Sequence, residues 1–336
     1  MKPAGRIEIQ PWMRSPATRA VIAALTQNGK SARFVGGCVR DTLIGRRILD
    51  IDIATEIAPE AVLHRLEMAD IHVIATGLKH GTVTAVIDRE LFEITTLRRD
   101  IESFGRHALV EFTDDWKADA ARRDFTINAM FCDPDGVLYD PFGGIEDLTA
   151  GCIRFVGDAR TRIREDVLRL LRFFRMSAHF GRQEPMPEAL EACRAYAHLV
   201  PFLSGERVRG ELLRLLEATD PVRWITIMAD QGILAHVLPE TGALARLSRL
   251  IDIETRLGAR APLRRLAALL DTDADGATRT SARLRLSNIE RKRLVTMVAP
   301  RHPVRIGMNA MERHEALSAY GADLTFDLLL LAAAKS

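Results

Sequence analysis

Residues 31–54 decide the fold, and they read SARFVGGCVRDTLIGRRILDIDIA. Residues 31–35 predict a β-strand that runs into two glycines. A short helix is predicted next, over 39–44, and a second strand over 50–54. This order places a glycine turn shortly ahead of a strand that begins with acidic residues.

The turn after the first strand has the residue types of a phosphate-binding site. Gly36 and Gly37 would let backbone amides approach a ligand closely, and the start of a helix favours anions. Arg40 lies about one turn into the predicted helix, so we expect its guanidinium to be directed at the same pocket. The spacing matches neither GxxxxGK[ST] nor GxGxxG, which excludes a Walker loop and a Rossmann turn. We therefore interpret Gly36, Gly37 and Arg40 as nucleotide-binding residues of another kind.

The second strand carries a pair of carboxylates, Asp50 and Asp52. Side chains alternate along a strand, so both acids are expected on one face, with Ile51 and Ile53 on the other. Two neighbouring carboxylates repel each other unless a cation lies between them, and a few oxygen donors beside substrate phosphates suit Mg²⁺. An exposed acidic strand end is the alternative for such a pair taken alone. The glycine turn ahead of it favours a catalytic magnesium site.

The rest of the chain divides into a mixed first half and a helical second half. Beyond residue 159 the apolar spacing is helical nearly to the end, with Pro187 and Pro221 at expected helix starts. The predicted fold class is therefore α+β, with a mixed-sheet head followed by an all-α part. Within the head we predict a helix at 59–69 and strands at 71–75, 82–88 and 91–97.

Composition indicates an ordinary globular protein of roughly two domains. The chain has 336 residues, 47% of them hydrophobic and 27% charged, which argues against general disorder. The longest apolar run, 328–334, is too short to span a bilayer, and no secretory signal is predicted at the N-terminus. The four cysteines form no CxxC pair, which argues against a zinc or redox motif and favours a reducing, cytoplasmic location.

Several segments together resemble the DNA polymerase beta nucleotidyltransferase superfamily and, within it, the class II tRNA nucleotidyltransferases, or CCA-adding enzymes. The glycine turn with Arg40 and Asp41, followed by the acidic pair, is similar to the first motif of the superfamily. The resemblance spans residues 36–217, and beyond about 220 it is limited to helical character. The later motifs follow in the family's order: RRDFTINA at 122–129, DPFGG at 140–144, EDVLR at 165–169 and SGER at 204–207.

The resemblance implies an enzyme that adds C, C and A to the 3′ end of tRNA from CTP and ATP without a template, with Mg²⁺ as cofactor. Asp50 and Asp52 would hold the metal ions in a two-metal clamp. Arg123 and Asp124 would contact the nucleotide, with Asp124 near the ribose. Glu93, on the strand predicted at 91–97, is placed where a third carboxylate could join the pair.

The resemblance also implies three domains. These are a nucleotidyltransferase head at 1–150, a helical neck at 151–220 that recognises the base, and an all-α body and tail at 221–336 that binds RNA. The neck region suits a phosphate-bearing ligand, because its segment 154–175 contains seven arginines. The sequence does not predict an oligomeric state.

Asp166 and Arg169 form a pair that could choose the nucleotide. They are expected on one face of a helix, because residues three apart are neighbours there. Aspartate offers only acceptors and arginine only donors, which complement the amine and ring nitrogen at the edge of cytosine or adenine. Uracil and guanine reverse both groups, and sites that leave buried polar groups unpaired discriminate by about 10⁴-fold. Arg172 and Arg175 continue the spacing and could reach the ribose or the phosphates.

Three other functions stay open. A bacterial poly(A) polymerase shares the first motifs, although GLKHGT at 77–82 is more similar to the CCA-adding enzymes. An enzyme that adds only C, or only the final A, is the second alternative. The family's flexible loop, which helps the switch from C to A, corresponds to 98–107, and Phe104 stands where an acidic residue is often found. The third alternative is a non-catalytic RNA-binding protein, which would need neither the acidic pair nor the pairing of Asp166 with Arg169.

Overall fold

The computed structural model describes residues 1–29, 31–78, 81–104, 107–242 and 244–335. They form two compact units. Unit 1 comprises Met1–Asp166 with Arg182–Ala189, and unit 2 comprises Val167–Gly181 with Leu190–Ser336. The predicted α+β class is confirmed, whereas the division into head, neck and body stays a prediction.

Unit 1 combines strands with short helices. Its strands are β1 (Gly5–Arg6), β2 (Ala32–Val35), β3 (Ile51–Thr55), β4 (His72–Gly77), β5 (Thr82–Ile87), β6 (Glu90–Thr96), β7 (Arg98–Phe104), β8 (His107–Phe112), β9 (Phe131–Cys132) and β10 (Val137–Tyr139). Its helices are α1 (Pro16–Leu25), α2 (Gly37–Leu43), α3 (Pro59–Met68), α4 (Trp116–Ala121), α5 (Gly144–Ala150) and α6 (Ala159–Glu165).

Eight of these strands form a mixed sheet in the order β1-β10-β9-β2-β3-β6-β5-β4. Strands β3 and β6 pair in parallel, whereas the neighbouring pairs β2–β3 and β5–β6 are antiparallel. A parallel pair needs a crossover connection, and helix α3 with strands β4 and β5 supplies it. The parallel register places Asp52 directly opposite Glu93. The sheet therefore positions two predicted site residues side by side.

Strand β3 begins at Ile51, so the expectation that Asp50 belongs to the strand is wrong by one residue. Alternation still holds inside the strand, because Ile51 and Ile53 are buried and Asp52 between them is half-buried. Glu93 alternates in the same way between Phe92 and Ile94. The apolar faces of both strands therefore point into the core and leave the acids on the opposite face.

The segment 98–107 is expected as a loop, but its described residues belong to a two-stranded ribbon. Strands β7 and β8 pair in an antiparallel register that runs from Arg98 opposite Phe112 to Phe104 opposite His107. Residues 105–106 and the side chain of Phe104 lie outside the described residues, so the interpretation of Phe104 stays a prediction. Lys79 and His80 of the predicted GLKHGT segment lie outside them as well.

Unit 2 is helical, as the spacing beyond residue 159 predicts. The last β-pairing in the described part of this unit is an isolated bridge between Thr241 and Leu270. Helix α8 starts in unit 1 and ends in unit 2. The helices are α7 (Leu168–Phe180), α8 (Pro187–Tyr196), α9 (Gly205–Leu216), α10 (Val222–Asp230), α11 (Leu234–Val237), α12 (Leu244–Leu257), α13 (Pro262–Leu269), α14 (Ala274–Arg283), α15 (Asn288–Val298) and α16 (Ala310–Ala333).

A buried network of ion pairs connects four helices of unit 2. Glu254 on α12 accepts from Arg264 at 2.7 Å and from Arg265 at 2.5 Å, both on α13. Arg264 also donates to Asp327 on α16 at 2.7 Å, and Asp327 accepts from Arg293 on α15 at 2.6 Å. Both acids are 1% exposed, so each depends on its arginines for compensation of its charge.

Replacing Glu254 with glutamine is expected to lower the free energy of unfolding by about 3–5 kcal/mol, because it removes the acid that pairs with the buried Arg265 and one of the two that pair with Arg264. Urea denaturation followed by tryptophan fluorescence or circular dichroism measures this change. The matched control is Glu315→Gln on the exposed face of α16, which should change stability by less than about 0.5 kcal/mol. Equal stability of Glu254→Gln and the control would contradict this role of the network.

Helix α16 has the length and apolar composition to cross a membrane, with a mean hydropathy of 1.4 over its most apolar window. The helix is interrupted at Gly321, whose φ of 74° and ψ of 173° are not helical. The piece after Gly321 is only about 18 Å long at 1.5 Å per residue, against a hydrocarbon core of about 30 Å. This piece also carries the buried, ion-paired Asp327. These features are those of a helix packed within unit 2.

Candidate active site

The glycine turn lies where an acid and a guanidinium meet. Gly36 has a φ of 71° and a ψ of −123°, a backbone conformation that side chains strongly disfavour. A Cβ at Gly36 would lie 3.6 Å from Nη1 of Arg123 and 3.8 Å from Oδ2 of Asp52. The structure therefore brings together three residues that the sequence predicts for the site, from segments far apart in the chain.

Arg40 is fixed beside the same turn by side chains on both sides. It donates to both carboxylate oxygens of Asp41 at 2.9 Å, and its Nη1 donates to Oδ1 of Asn128 at 2.6 Å. A Cβ at Gly37 would lie 3.7 Å from Nη2 of Arg40. The predicted position of Arg40 next to the glycine turn is therefore present. Asp41 and Asn128 were not singled out as site residues, although both belong to the quoted motifs.

A buried cysteine connects the glycine turn to strands β2 and β3. Cys38, in the first turn of α2, is 2% exposed, and its Sγ lies 3.3 Å from the carbonyl oxygen of Val35 and 3.6 Å from that of Asp52. Burial, followed by the negative charge of Asp52, raises the pKa of the Cys38 thiol to about 12. Cys38 is thus a neutral packing residue that ties the turn to strand β3.

Asp52 carries the most perturbed carboxyl group of the site. Burial raises its pKa to about 6, and the negative charges of Glu93 and Asp50 act in the same direction. Arg123 and Arg40 oppose this shift without cancelling it. The ionised form of Asp52 is therefore less favoured in the protein than in water, and a nearby positive charge would stabilise it.

The acids fit a hard divalent cation. Their donors are carboxylate oxygens, which Mg²⁺ prefers, and their mutual repulsion would be relieved by a cation. Among the described residues, no three His, Cys, Asp or Glu side chains are gathered closely enough to enclose a metal ion. A site with two acidic residues would leave the remaining positions to water and phosphate, as Mg²⁺ sites commonly do. A role for Glu93 as a third ligand stays a prediction.

The segment 122–129 follows helix α4 and lines the turn. Arg123 extends from the end of α4 towards Gly36, and its guanidinium lies 5.5 Å from the centre of the Phe131 ring. Asp124 is half-buried, and its carbonyl oxygen accepts from the backbone N–H of Val156 at 3.1 Å. Contact of Asp124 with a ribose stays a prediction.

The segment 140–144 has a structural role in unit 1. Asp140 accepts from the backbone N–H groups of Gly144 and Ile145, each at 2.8 Å, and so caps helix α5. Gly144 packs directly against the carbonyl oxygen of Thr126, where no side chain would fit. The motif therefore braces the segment that carries Arg123 and Asn128.

Asp166 and Arg169 do not lie on one helix, contrary to the sequence prediction. Helix α6 ends at Glu165, Asp166 is extended with a φ of −149° and a ψ of 106°, and α7 begins at Leu168. Asp166 closes the first segment of unit 1, and Arg169 belongs to unit 2, where it is 9% exposed. Their joint recognition of a base stays a prediction, and it cannot rest on a shared helix face.

Arg172 and Arg175 share a buried acid in unit 2. Glu211 on α9 is 2% exposed, and it accepts from Nε of Arg172 at 3.3 Å and from Nε of Arg175 at 2.6 Å. Arg214 adds a third donor at 3.2 Å. Glu211 is not among the site residues predicted from the sequence, although a glutamate on the apolar face of the helix that starts at the SGER segment is a signal for such a buried partner.

Two family models match the chain. The model described as Poly A polymerase head domain matches residues 32–154. The model described as Probable RNA and SrmB-binding site of polymerase A matches residues 184–244. The first match contains the glycine turn, the acids and Arg123.

Named relatives cover more of the chain. It is 38% identical over 300 residues to the mitochondrial CCA tRNA nucleotidyltransferase 1 of Danio rerio, covering 88% of this chain and 68% of the relative. It is 38% identical over 229 residues to the CCA-adding enzyme of Geobacillus stearothermophilus, covering 67% of this chain and 55% of the relative. This chain therefore spans about half to two thirds of these two proteins.

A solved structure shares the fold. It is the crystal structure of the Bacillus stearothermophilus CCA-adding enzyme in complex with CTP, with a TM-score of 0.76 and 30% sequence identity. The match covers 96% of this chain and 79% of that protein.

Proposed function

Because this chain belongs to the family of CCA-adding tRNA nucleotidyltransferases, we propose that it adds C, C and A to the 3′ end of tRNA from CTP and ATP without a nucleic-acid template. The observation that carries the proposal is the convergence of Asp52 and Arg123 at Gly36. Nucleotidyl transfer needs carboxylate oxygens for a divalent cation and fixed cationic donors for a triphosphate, and this turn offers both.

Asp50 and Asp52 are the residues that would hold Mg²⁺. When bound there, Mg²⁺ supplies positive charge that activates the attacking 3′-hydroxyl and stabilises the pyrophosphate leaving group. The raised pKa of Asp52 supports this assignment, because the group is poised to gain from a cation. Asp50 is exposed and lies just before β3, so its carboxylate would be accessible to the ion.

Arg40 and Arg123 would hold the triphosphate at the glycine turn. Each guanidinium is fixed by carboxylates or an amide of the same unit, so little side-chain entropy is lost when a phosphate binds. In the reaction, the 3′-oxygen of the RNA forms a bond to the α-phosphorus, and the bond to pyrophosphate breaks. Gly36 and Gly37 would allow the backbone to approach the phosphates without a side chain in between.

Asp166 and Arg169 would select the base, with Arg172 and Arg175 towards ribose or phosphates. The support for this part is the complementarity of donors and acceptors with cytosine and adenine. Arg172 and Arg175 are held by Glu211, so any contact with the nucleotide would use the guanidinium hydrogens that Glu211 does not take. The helices of unit 2 would bind the tRNA, and a cytoplasmic location is proposed alongside, supported by four free cysteines.

The deciding experiment uses tRNA that lacks its terminal triplet, with each triphosphate supplied singly and then CTP together with ATP. Addition of two C residues with CTP, completed by one A when ATP is present, is the expected result. A long A tract with ATP alone would instead support a poly(A) polymerase, which the description of the head family model also names. Arrest after C, or addition of A only to a tRNA ending in CC, would support a partial enzyme. No incorporation of any nucleotide would contradict the proposal.

A further inference from the structure

Asp119 is a buried carboxylate in helix α4 with an unusual set of partners. It is 1% exposed, and its Oδ1 accepts from Nε and Nη2 of Arg122 at 2.9 and 2.7 Å. Its Oδ2 accepts from Nη2 of Arg123 at 3.0 Å and from Nε at 3.3 Å. One aspartate thus holds two consecutive arginines, each through two donors on its guanidinium.

The same carboxylate reaches the start of the β7–β8 ribbon. Its Oδ1 also accepts from the backbone N–H of Arg98, the first residue of β7, at 3.3 Å. Asp119 therefore links three features: the end of α4, the root of the ribbon, and the arginine that approaches Gly36. Asp119 is not among the site residues predicted from the sequence.

The geometry of Arg123 shows what this contact achieves. Nε and Nη2 face Asp119, and Nη1, on the other branch of the guanidinium, is turned to Gly36 and Asp52. A guanidinium is planar, so fixing one edge of it fixes the direction of the remaining nitrogen. Without Asp119, Arg123 would keep its charge and lose the constraint that points Nη1 at the glycine turn.

We propose that Asp119 is a positioning residue for nucleotide binding, which holds Arg123 in the orientation that meets a triphosphate and ties that orientation to the root of the β7–β8 ribbon. The inference rests on the proposed function, because it takes the glycine turn as the triphosphate site. Burial alone would raise the pKa of Asp119, but Arg123 and Arg122 outweigh it and lower the pKa. The carboxylate is therefore ionised at neutral pH and remains a strong acceptor.

The change of charge and the loss of orientation predict opposite changes in CTP affinity for the variant Asp119→Asn. Removal of one negative charge beside two arginines makes the turn more positive, which by itself would tighten the binding of an anion. Loss of orientation weakens it, and a displacement of about 1 Å at a positioned group can cost roughly 10²-fold. If Asp119 acts through orientation, CTP binding weakens in spite of the added positive charge.

The test measures the equilibrium binding of CTP in the absence of tRNA, together with KM and kcat for nucleotide addition. Asp119→Asn should weaken CTP binding and raise KM by about 10-fold or more, with a smaller change in kcat. The matched control is Arg122→Met, which removes the ion pair between Arg122 and Asp119 and leaves Asp119 bound to Arg123. It should stay within about twofold of wild type while losing comparable thermal stability.

A double-mutant cycle tests whether Asp119 acts through Arg123. The double variant Asp119→Asn with Arg123→Ala should bind CTP no more weakly than Arg123→Ala alone. Arg123→Lys is a second probe that leaves Asp119 unsubstituted, and it keeps the positive charge but lacks the two-branched guanidinium. It should bind CTP about as weakly as Arg123→Ala.

Different results would overturn the positioning role of Asp119 and the proposed function. If wild type binds CTP while Asp119→Asn binds it equally or more tightly, or Arg123→Lys binds it like wild type, the positioning role is overturned and the proposed function stands. If the double variant binds CTP more weakly than Arg123→Ala by the full factor that Asp119→Asn causes alone, the positioning role is likewise overturned. A wild-type protein that binds no CTP would overturn the proposed function itself.

Discussion

The variant Asp52→Asn is expected to lose nucleotide incorporation entirely while becoming more stable than the wild type at pH 8 in the absence of divalent cations. Incorporation fails because the amide cannot supply the negative charge that a divalent cation requires. Stability rises because the wild-type carboxylate is costly: its pKa is raised from 3.8 to about 6 by burial and by neighbouring acids. At about 1.4 kcal/mol per unit, the difference is about 3 kcal/mol.

The pH dependence has a definite sign. A carboxyl group whose pKa is higher in the folded state is easier to protonate there, so its ionisation opposes folding. The cost is fully present above pH 6, shrinks as the pH falls through about 6, and is gone below the unfolded value of 3.8. The stability advantage of Asp52→Asn should therefore be greatest at pH 8 and vanish near pH 4.

Urea denaturation with EDTA, carried out on both proteins across this range, measures the effect. Added Mg²⁺ should stabilise the wild type and leave Asp52→Asn unchanged, because only a bound ligand shifts the unfolding equilibrium. Asp114→Asn is the control, since Asp114 is exposed and lies outside the proposed site. Full incorporation by Asp52→Asn would remove the mechanism, and lower stability of this variant at pH 8 would refute the electrostatic account.

The variant Asp166→Ala is expected to relax nucleotide choice. The carboxylate is the proposed acceptor for the exocyclic amine of cytosine and adenine. Its loss removes the repulsion between the carboxylate and the carbonyl oxygen of uracil or guanine, because both groups are acceptors. We expect the ratio of kcat/KM for CTP over UTP to fall by roughly 10²-fold or more, from a wild-type value that can reach about 10⁴. Steady-state incorporation of each triphosphate singly measures this ratio.

Glu165 provides the neighbouring control for this variant. It ends helix α6 and pairs with Arg162 at 2.7 Å, so Glu165→Gln disturbs an acid next to Asp166 without touching the proposed acceptor. Its nucleotide ratio should match that of wild type. An unchanged ratio in Asp166→Ala would exclude Asp166 from base selection and would leave the catalytic proposal for Asp52 intact.

The local part of the site was predictable because it depends on short stretches of sequence. The glycines at 36 and 37, the strands on either side and the hairpin of β5 and β6 follow from turn residues and alternation within a few positions. The contacts of Arg40 with Asp41 are equally local. The family motifs supplied the order of the remaining segments.

The helix break at Asp166 was not predictable in the same way. Neither glycine nor proline marks it, and the arginine-rich stretch around it has continuous helical character. The short strands β1, β9 and β10 were missed for a different reason. They contain two or three residues and pair with distant segments, as Gly5 does with Leu138, so no periodicity can develop within them.

The partners of the arginines were the least predictable feature. Spacing places Arg122 and Arg123 within reach of Asp119, because residues three or four apart are neighbours on a helix. The contacts of Glu211 with Arg172 and Arg175 on another helix do not follow from spacing. The importance of both acids appears only when burial and distance are known, because the energetic weight of an acid depends on its removal from water. Sequence patterns predict where charges lie along the chain, and tertiary structure determines which of them are fixed.

The interruption of α16 at Gly321 has a consequence for how this protein can change over time. Residues before the break are mostly solvent-facing, whereas those after it are mostly packed and include Asp327. Because helical cooperativity depends on an unbroken hydrogen-bond ladder, a disturbance ahead of the glycine need not propagate past it. Substitutions at the exposed positions of the outer half can therefore accumulate while the inner half remains anchored by its salt bridges.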